Sequence, residues 1–559
     1  MNVKLKSKKL ASQTEKSTSI GGFKKWIPML VLCLALMIII IDTTVLNVSL
    51  KTIIEDLGTD ITGIQWVITI YSLTLAAFTI TGGRLGDLYG RKKMFVVRAI
   101  IFAIGSFITS ISTSVGMMIV GESVIEGVGA ALMMPATASI LMTTYRGRDR
   151  AIAFGIWGGV AGAASALGPI LGGYLTTNYS WRWAFRINLI VVAVLLVGAI
   201  FIKESSEHLK KIKLDIVGII LSSVGLLAFV YGIIESASFG WIVAIKPYKI
   251  LGKDLIPFGL SISPVVMAIG VLLLVAFVFW EKRVESKGNT PLVSLHIFRN
   301  SQFIVGASVT ALLSLGMVGL IFSLPVFLQT VHNLDALHTG LALLPMSLIV
   351  LVSAPFSGAI SKYITAKRLI QIGLVFAFFG SIALHSSLSA TSTTGDLAPG
   401  LMLFGLGMGF VMAQASNMTL SAVSVEESGE ASGVNNTLRQ IGSSFGSAII
   451  GAVLLTTLSS NLVGGIKSSQ VLPVPVKSKI VQSVEQNASA IEFGDSNSQK
   501  HMPPEISKEI KNISNNASAE ASKKAILTTG VFLLMAFVMA SFLPNTKNFD
   551  KSSSVASVH

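Results

Sequence analysis

The sequence predicts an all-α integral membrane protein that crosses the bilayer about fourteen times, and three observations lead there. First, 52% of the 559 residues are hydrophobic and only 13% are charged, whereas a soluble domain usually carries about 25% charged residues. Second, the apolar residues fall in blocks of about twenty, the length a helix needs to cross about 30 Å of hydrocarbon. Third, the short segments between blocks are basic in alternation, as expected for loops sorted to two sides of a membrane. Lipid offers no partner to a peptide group, so each block should be a helix.

The blocks are expected near residues 26–49, 64–83, 94–114, 117–143, 151–176 and 183–202. Two more follow at 214–236 and 257–280. A last set lies at 303–327, 339–360, 369–388, 397–423, 434–458 and 525–543. This order divides the chain into a tail (1–25), a six-helix bundle (26–202), a two-helix insert with its flanking loops (203–300), a second six-helix bundle (301–543) and a second tail (544–559). Paired bundles around a central site are a common transporter plan.

Loop charge gives an orientation. Arg84, Arg91, Lys92 and Lys93 stand against Asp87, and Arg146, Arg148 and Arg150 stand against Asp149. The segments 203–213, 281–299 and 362–368 are also net basic. They alternate along the chain and share a side with the N-terminal stretch, which holds seven lysines. That side is read as cytoplasmic, and an even number of spans returns the C-terminus to it. The first block is longer than a signal segment and has no small-residue cleavage site, so it is expected to be retained. The loop with Lys246, Lys249 and Lys253 and the loop with Glu426, Glu427 and Glu430 depart from the charge pattern, but acidic residues weigh little in it. The long segment 459–524, rich in Ser, Asn, Lys and Glu, should be external and irregular. It carries Asn-x-Ser at Asn487, Asn512 and Asn516.

Composition also excludes several functions. The net charge of +15 resides largely in short loops that set orientation, so no nucleic-acid partner is expected. One cysteine, Cys33, forms no disulfide framework. Scattered histidines offer no metal site. A phosphate-binding Gly-Lys loop is absent, so neither a nucleotide cofactor nor an enzyme is expected.

Four segments carry a family resemblance. Gly83-Arg84-Leu85-Gly86-Asp87-Leu88-Tyr89-Gly90-Arg91-Lys92-Lys93, between the second and third spans, resembles the loop signature of the major facilitator superfamily. Its glycines allow a tight turn and close helix approach, and Asp87 can pair with arginines or cap a helix. Gly168-Pro169-Ile170-Leu171-Gly172-Gly173, with Gly155 upstream, resembles the antiporter motif of drug exporters. Trp181-Arg182-Trp183-Ala184-Phe185-Arg186-Ile187-Asn188 and the run Gly429-Glu430-Ala431-Ser432-Gly433-Val434-Asn435-Asn436-Thr437-Leu438-Arg439-Gln440-Ile441-Gly442 resemble the sixth and thirteenth spans of fourteen-span exporters. The resemblance implies the major facilitator fold and the drug:proton antiporter branch. It makes Gly83, Arg84, Gly86, Asp87, Gly90 and Arg91 a cytoplasmic latch that stabilises the outward-facing state.

Asp42 lies deep in the first span, where a carboxylate costs at least ~2.5 kcal/mol on insertion scales. Either it exchanges a proton during transport, the role the resemblance implies, or it is a hydrogen-bond acceptor for Thr43, Thr44 or a neighbouring helix. In the fourth span, Ser123 stands where relatives usually have arginine. Glu122 and Glu126 flank it four residues apart, on one helix face. At comparable depth the three carboxyls form an expected acidic cluster, in which like charges cannot all stay ionised. The alternative pairs one glutamate with Arg186. Arg98, one turn inside the third span, is expected to reach back to the membrane surface. Tyr71, Gln329, Gln414 and Asn417 are candidate cavity residues.

The expected function is export of amphipathic, cationic compounds in exchange for protons, by a monomer in the plasma membrane. Transport of a lipid, organic anion or metabolite by the same fold is the alternative, and a membrane sensor or scaffold is a further one.

Overall fold

In the computed structural model, residues 23–59, 61–204, 214–244, 247–250, 253–255, 260–486 and 503–545 are described. Most of the N-terminal tail, much of the segment 203–213, Lys246, Asn487 and the C-terminal tail beyond 545 lie outside them. The first bundle of helices comprises α1 (Ile27–Leu57), α2 (Ile61–Tyr89), α3 (Arg91–Ser110), α4 (Val115–Thr144), α5 (Gly147–Asn178) and α6 (Arg182–Gly198). Next come α7 (Ile216–Phe239), the strands β1 (Tyr248–Ile250) and β2 (Lys253–Leu255), and α8 (Ile262–Ser286). The rest are α9 (Ser301–Thr330), α10 (Ala336–Ile360), α11 (Ala366–Ser387), α12 (Thr394–Leu420), α13 (Ser428–Ser468), α14 (Val474–Gln486) and α15 (Pro504–Ser541).

Thirteen of these helices are long and apolar enough to span a membrane. The fourteenth span is α5, bent by 41° between Gly147–Ala164 and Leu167–Asn178, near the interior proline Pro169, which removes a backbone donor and permits a bend. Side chains cap several helix starts: Asp215 accepts from Gly218 N, Asn300 from Gln302 N, Asp335 from His338 N and Thr365 from Arg368 N. Each satisfies an amide that the first helical turn leaves without a partner.

One apolar core gathers residues mainly from α1–α6, among them Leu36, Phe102, Leu141 and Phe154. A second unites α9–α12 with α15 through Leu324, Met346, Phe404 and Leu533. Helices α7 and α8 pack on each other, and Val230 of α7 joins Leu73 and Ala76 of α2. The side carrying the α2–α3 turn is termed the latch side.

One expectation is revised, and one element is new. The insert contains an antiparallel hairpin, with Lys249 opposite Asp254, so the basic segment around Lys249 and Lys253 is ordered by strand pairing. The segment 459–524 is not wholly irregular. Helix α13 runs on to Ser468, α14 is helical, and α15 begins at Pro504, so Asn512 and Asn516 are helical. These polar stretches hold because they share an apolar seam, in which Leu458 and Leu462 meet Ala517 and Ala521. Ser469 also donates to Glu509 at 2.7 Å.

Candidate functional site

The acidic cluster forms where α1, α3, α4 and α6 converge. Asp42 is 3% exposed, Glu122 and Glu126 are fully buried, and one carboxylate oxygen from each lies within 4.8 Å of the others. The two glutamates lie on an irregular stretch of α4. Residues Ile119–Glu126 wind as a π-helix rather than an α-helix, an irregularity frequent at functional sites. Gly105 of α3 provides the room, because a Cβ there would lie 2.6 Å from the Cα of Glu126.

Asn188 of α6 ties the cluster together. Its Nδ2, which has two N–H bonds to share, lies 2.9 Å from Asp42 Oδ1, 3.1 Å from Glu126 Oε1 and 3.1 Å from Ser106 Oγ. Ser106 donates in turn to Glu126 Oε1. Among the described residues, neither oxygen of Glu122, nor Asp42 Oδ2, Glu126 Oε2 or the Tyr71 hydroxyl, has a hydrogen-bond partner outside the three carboxyls themselves. Tyr71 is buried and within electrostatic reach of all three carboxyls. Neither Thr43 nor Thr44 donates to Asp42; their hydroxyls turn back to the carbonyls of Ile40 and Ile41. Arg186 does not pair with a glutamate among the described residues. Its guanidinium lies over the Trp183 ring, 5.3 Å from the centroid. Ser123 turns away from the cluster and donates to Val67 O at 2.7 Å.

The α2–α3 turn grips the start of α13. Asp87 accepts from Arg91 Nη2 at 2.7 Å and from the backbone N–H of Glu430 at 3.1 Å. Arg91 also donates to Val425 O at 2.7 Å, and Arg84 Nη1 lies 3.3 Å from Glu430 Oε2. Gly83 lies against the Gly429 carbonyl, leaving no space for a side chain. Gly90 adopts φ +103°, a conformation that favours glycine, and turns the chain from α2 into α3. Arg98 departs from expectation. It is fully buried and donates from Nη2 to Gly82 O at 2.6 Å, and a Cβ added at Gly86 would lie 3.7 Å from its guanidinium. The small glycines behind the turn make a space for the guanidinium that a surface position would not need.

The glycines of α5 face two helices. Gly168 and Gly172 lie against Thr44 and Val45 of α1, while Gly155 meets Ala354 and Gly173 meets Leu337 of α10. Pro169 borders Gly340 of α10. Thus α5 joins both bundles at van der Waals contact.

The remaining candidates stand apart from the cluster. Gln329 is exposed near the end of α9. Gln414 and Asn417 are buried on α12, and Gln414 Nε2 donates to Ser357 Oγ of α10 at 3.0 Å. Sequence reasoning missed Asn188, Ser106 and Gly105 as parts of the site. An amide in an otherwise apolar span, and a Gly-Ser pair in another, were the available signals.

Comparison with known proteins agrees with this fold. The family description Major Facilitator Superfamily matches residues 32–280 and 258–447. The chain is 29% identical over 450 residues to the probable actinorhodin transporter of Streptomyces coelicolor, covering 79% of this chain and 75% of that one. It is 30% identical over 434 residues to the puromycin resistance protein of Streptomyces alboniger, covering 77% and 82%. It is also 30% identical over 432 residues to the tetracenomycin C resistance and export protein of Streptomyces glaucescens, covering 77% and 76%. Among solved structures, the proton:xylose symporter XylE matches with a TM-score of 0.53 at 11% identity, over 93% of this chain and 96% of that one. The human organic anion transporter MFSD10 matches with a TM-score of 0.51 at 12% identity, over 91% and 99%. With the family description spanning more than half its length, the chain belongs to the major facilitator superfamily.

Proposed function

We propose that the protein exports amphipathic, cationic toxic compounds in exchange for protons, by alternating access of its two bundles. The observation that carries this reading is the cluster of Asp42, Glu122 and Glu126 around Asn188. Three carboxyls within 4.8 Å of one another, shielded from water, cannot all be ionised. At least one holds a proton that it can release when the site opens to the other side. Relatives named for transport of actinorhodin, resistance to puromycin and export of tetracenomycin C support the export reading.

The latch contacts support an outward-facing assignment for this conformation. Asp87, Arg91 and Arg84 join α2 to α13 on the latch side, which we take as the cytoplasmic face of the plasma membrane, with both termini there. The bundles 26–202 and 301–543 rock about the midplane, with the seam of α5 against α10 as their persistent contact and 203–300 as an insert beside α2. The working unit is a monomer.

Purified protein in liposomes holding a pH-sensitive dye tests the coupling. On addition of a lipophilic cation such as tetraphenylphosphonium, the unaltered protein moves protons, and Asp42→Asn and Glu126→Gln do not. Proton movement that ignores the compound, or is unchanged in both variants, refutes the proposal.

A further inference from the structure

We propose that Arg439 of α13 is a second recognition point, which binds an ionised oxygen group (a carboxylate, phenolate or enolate) on the transported compound. This rests on the export reading above and deepens its substrate class: among the cationic compounds, those that also carry an anionic oxygen gain a second contact.

Arg439 stands eleven residues into α13 from Ser428, about 16 Å along the axis, which is near the middle of about 30 Å of hydrocarbon. An arginine at that depth is costly unless it has a partner, and marks a functional position by default. Among the described residues its hydrogen bond is to Met134 Sδ, at 2.9 Å, and it forms no ion pair. A thioether is a weak acceptor, while a guanidinium offers five N–H donors in a planar fork. The side chain is half-buried rather than sealed. Acceptors are therefore scarce around a group built to hold a carboxylate with two parallel bonds.

Its position fits a ligand. A ladder of contacts between α4 and α13 rises from the latch side. Ser139 Oγ meets Ser428 Oγ at 3.0 Å, Ser432 Oγ donates to Pro135 O at 3.0 Å, and Arg439 reaches Met134. No further hydrogen bond joins the two helices beyond Arg439 among the described residues. Arg439 thus makes the last hydrogen bond between α4 and α13, counted from the latch side, among the described residues. Glu126 lies eight residues further along α4 from Met134, about 12 Å along the axis. Along α4, the partner of the guanidinium and the acidic cluster are thus about the length of a small amphipathic molecule apart. The carboxyls suit its cationic end, and the guanidinium suits an anionic oxygen at the other.

A matched dye pair tests this. Rhodamine B carries a free carboxylate, and its methyl ester has the same cationic ring system without that charge. Binding to the purified full-length protein is read by fluorescence anisotropy for the unaltered chain, Arg439→Gln and Arg439→Lys. Arg439→Gln is expected to weaken rhodamine B about tenfold or more while the ester stays within about twofold, as for loss of hydrogen bonds to a charged group. Arg439→Lys, which keeps the charge but not the fork, is expected to fall between. Equal weakening of both dyes, no weakening of either, or failure of both to bind the unaltered protein would overturn the assignment. Transport of the same dyes into proteoliposomes under an imposed proton gradient separates the two readings. If neither dye moves, export fails, and the anisotropy comparison still decides on Arg439.

Discussion

Replacing Asp87 by asparagine keeps the shape of the latch and removes its charge. Asp87 accepts from Arg91 Nε and Nη2 and from Glu430 N. Only the last of these bonds crosses between the bundles, but Arg91, oriented by Asp87, makes another to Val425 O. Hydrogen bonds to a charged group contribute about 1.5–3 kcal/mol each, roughly twice the neutral value. Converting the Glu430 bond to a neutral one therefore costs about 1 kcal/mol, and loosening Arg91 costs a comparable amount. The sum, about 1.5–3 kcal/mol, shifts the balance of latched and unlatched states roughly ten- to hundredfold toward the unlatched one. Spin labels at Arg148→Cys and Val425→Cys, both exposed on the latch side and on different bundles, would report the separation. Cys33→Ser removes the native thiol. Double electron–electron resonance should show a longer distance that grows in the Asp87→Asn protein. Identical distance distributions in the two proteins would refute the assignment of the latch.

Further outcomes follow from the same geometry. Asn188→Leu removes the amide shared by Asp42 and Glu126, and proton-coupled transport should fall by about tenfold or more, as for loss of a hydrogen bond to a charged group; transport at the unaltered rate would exclude Asn188 from the site. Gly172→Leu places a Cβ about 3.0 Å from Val45 Cγ2, so overpacking of about 1–3 kcal/mol should lower the melting temperature in detergent, and an unchanged melt would contradict the close α1–α5 contact. Glu281 is buried and accepts from Leu292 N at 2.8 Å. Glu281→Ala leaves that amide unpaired at a cost of about 1–3 kcal/mol, and should speed proteolytic cleavage between α8 and α9; equal cleavage rates would show the bond to be dispensable.

The helices were legible because lipid imposes one rule on every span: apolar length with internal hydrogen bonding. The α2–α3 turn was legible for a related reason, since its glycines and charges lie together in one short run. Asn188 shows where reading stopped. Its role depends on the rotation of α6 relative to α1, α3 and α4, which arises from tertiary packing and leaves no periodic mark. Arg98 was misjudged because side-chain direction near a helix end depends on what neighbours leave open, here the glycines Gly82 and Gly86. The extension of α13 was hidden by its polar sequence. Composition alone favours an irregular loop, and only pairing with α15 offsets the cost of ordering it.

That extension changes how movement is transmitted. Helix α13 has 41 residues and so measures about 60 Å, twice the thickness of about 30 Å of hydrocarbon. One end is held by the latch, and the other stands clear of the lipid, braced by α15. A rod pivoting near its middle moves most at its tips. Any tilt that opens the narrow seam between the bundles is therefore displayed, enlarged, at Lys467 and Ser468. A fluorophore or antibody fragment attached there would follow each turnover from the surrounding water without entering the transport path.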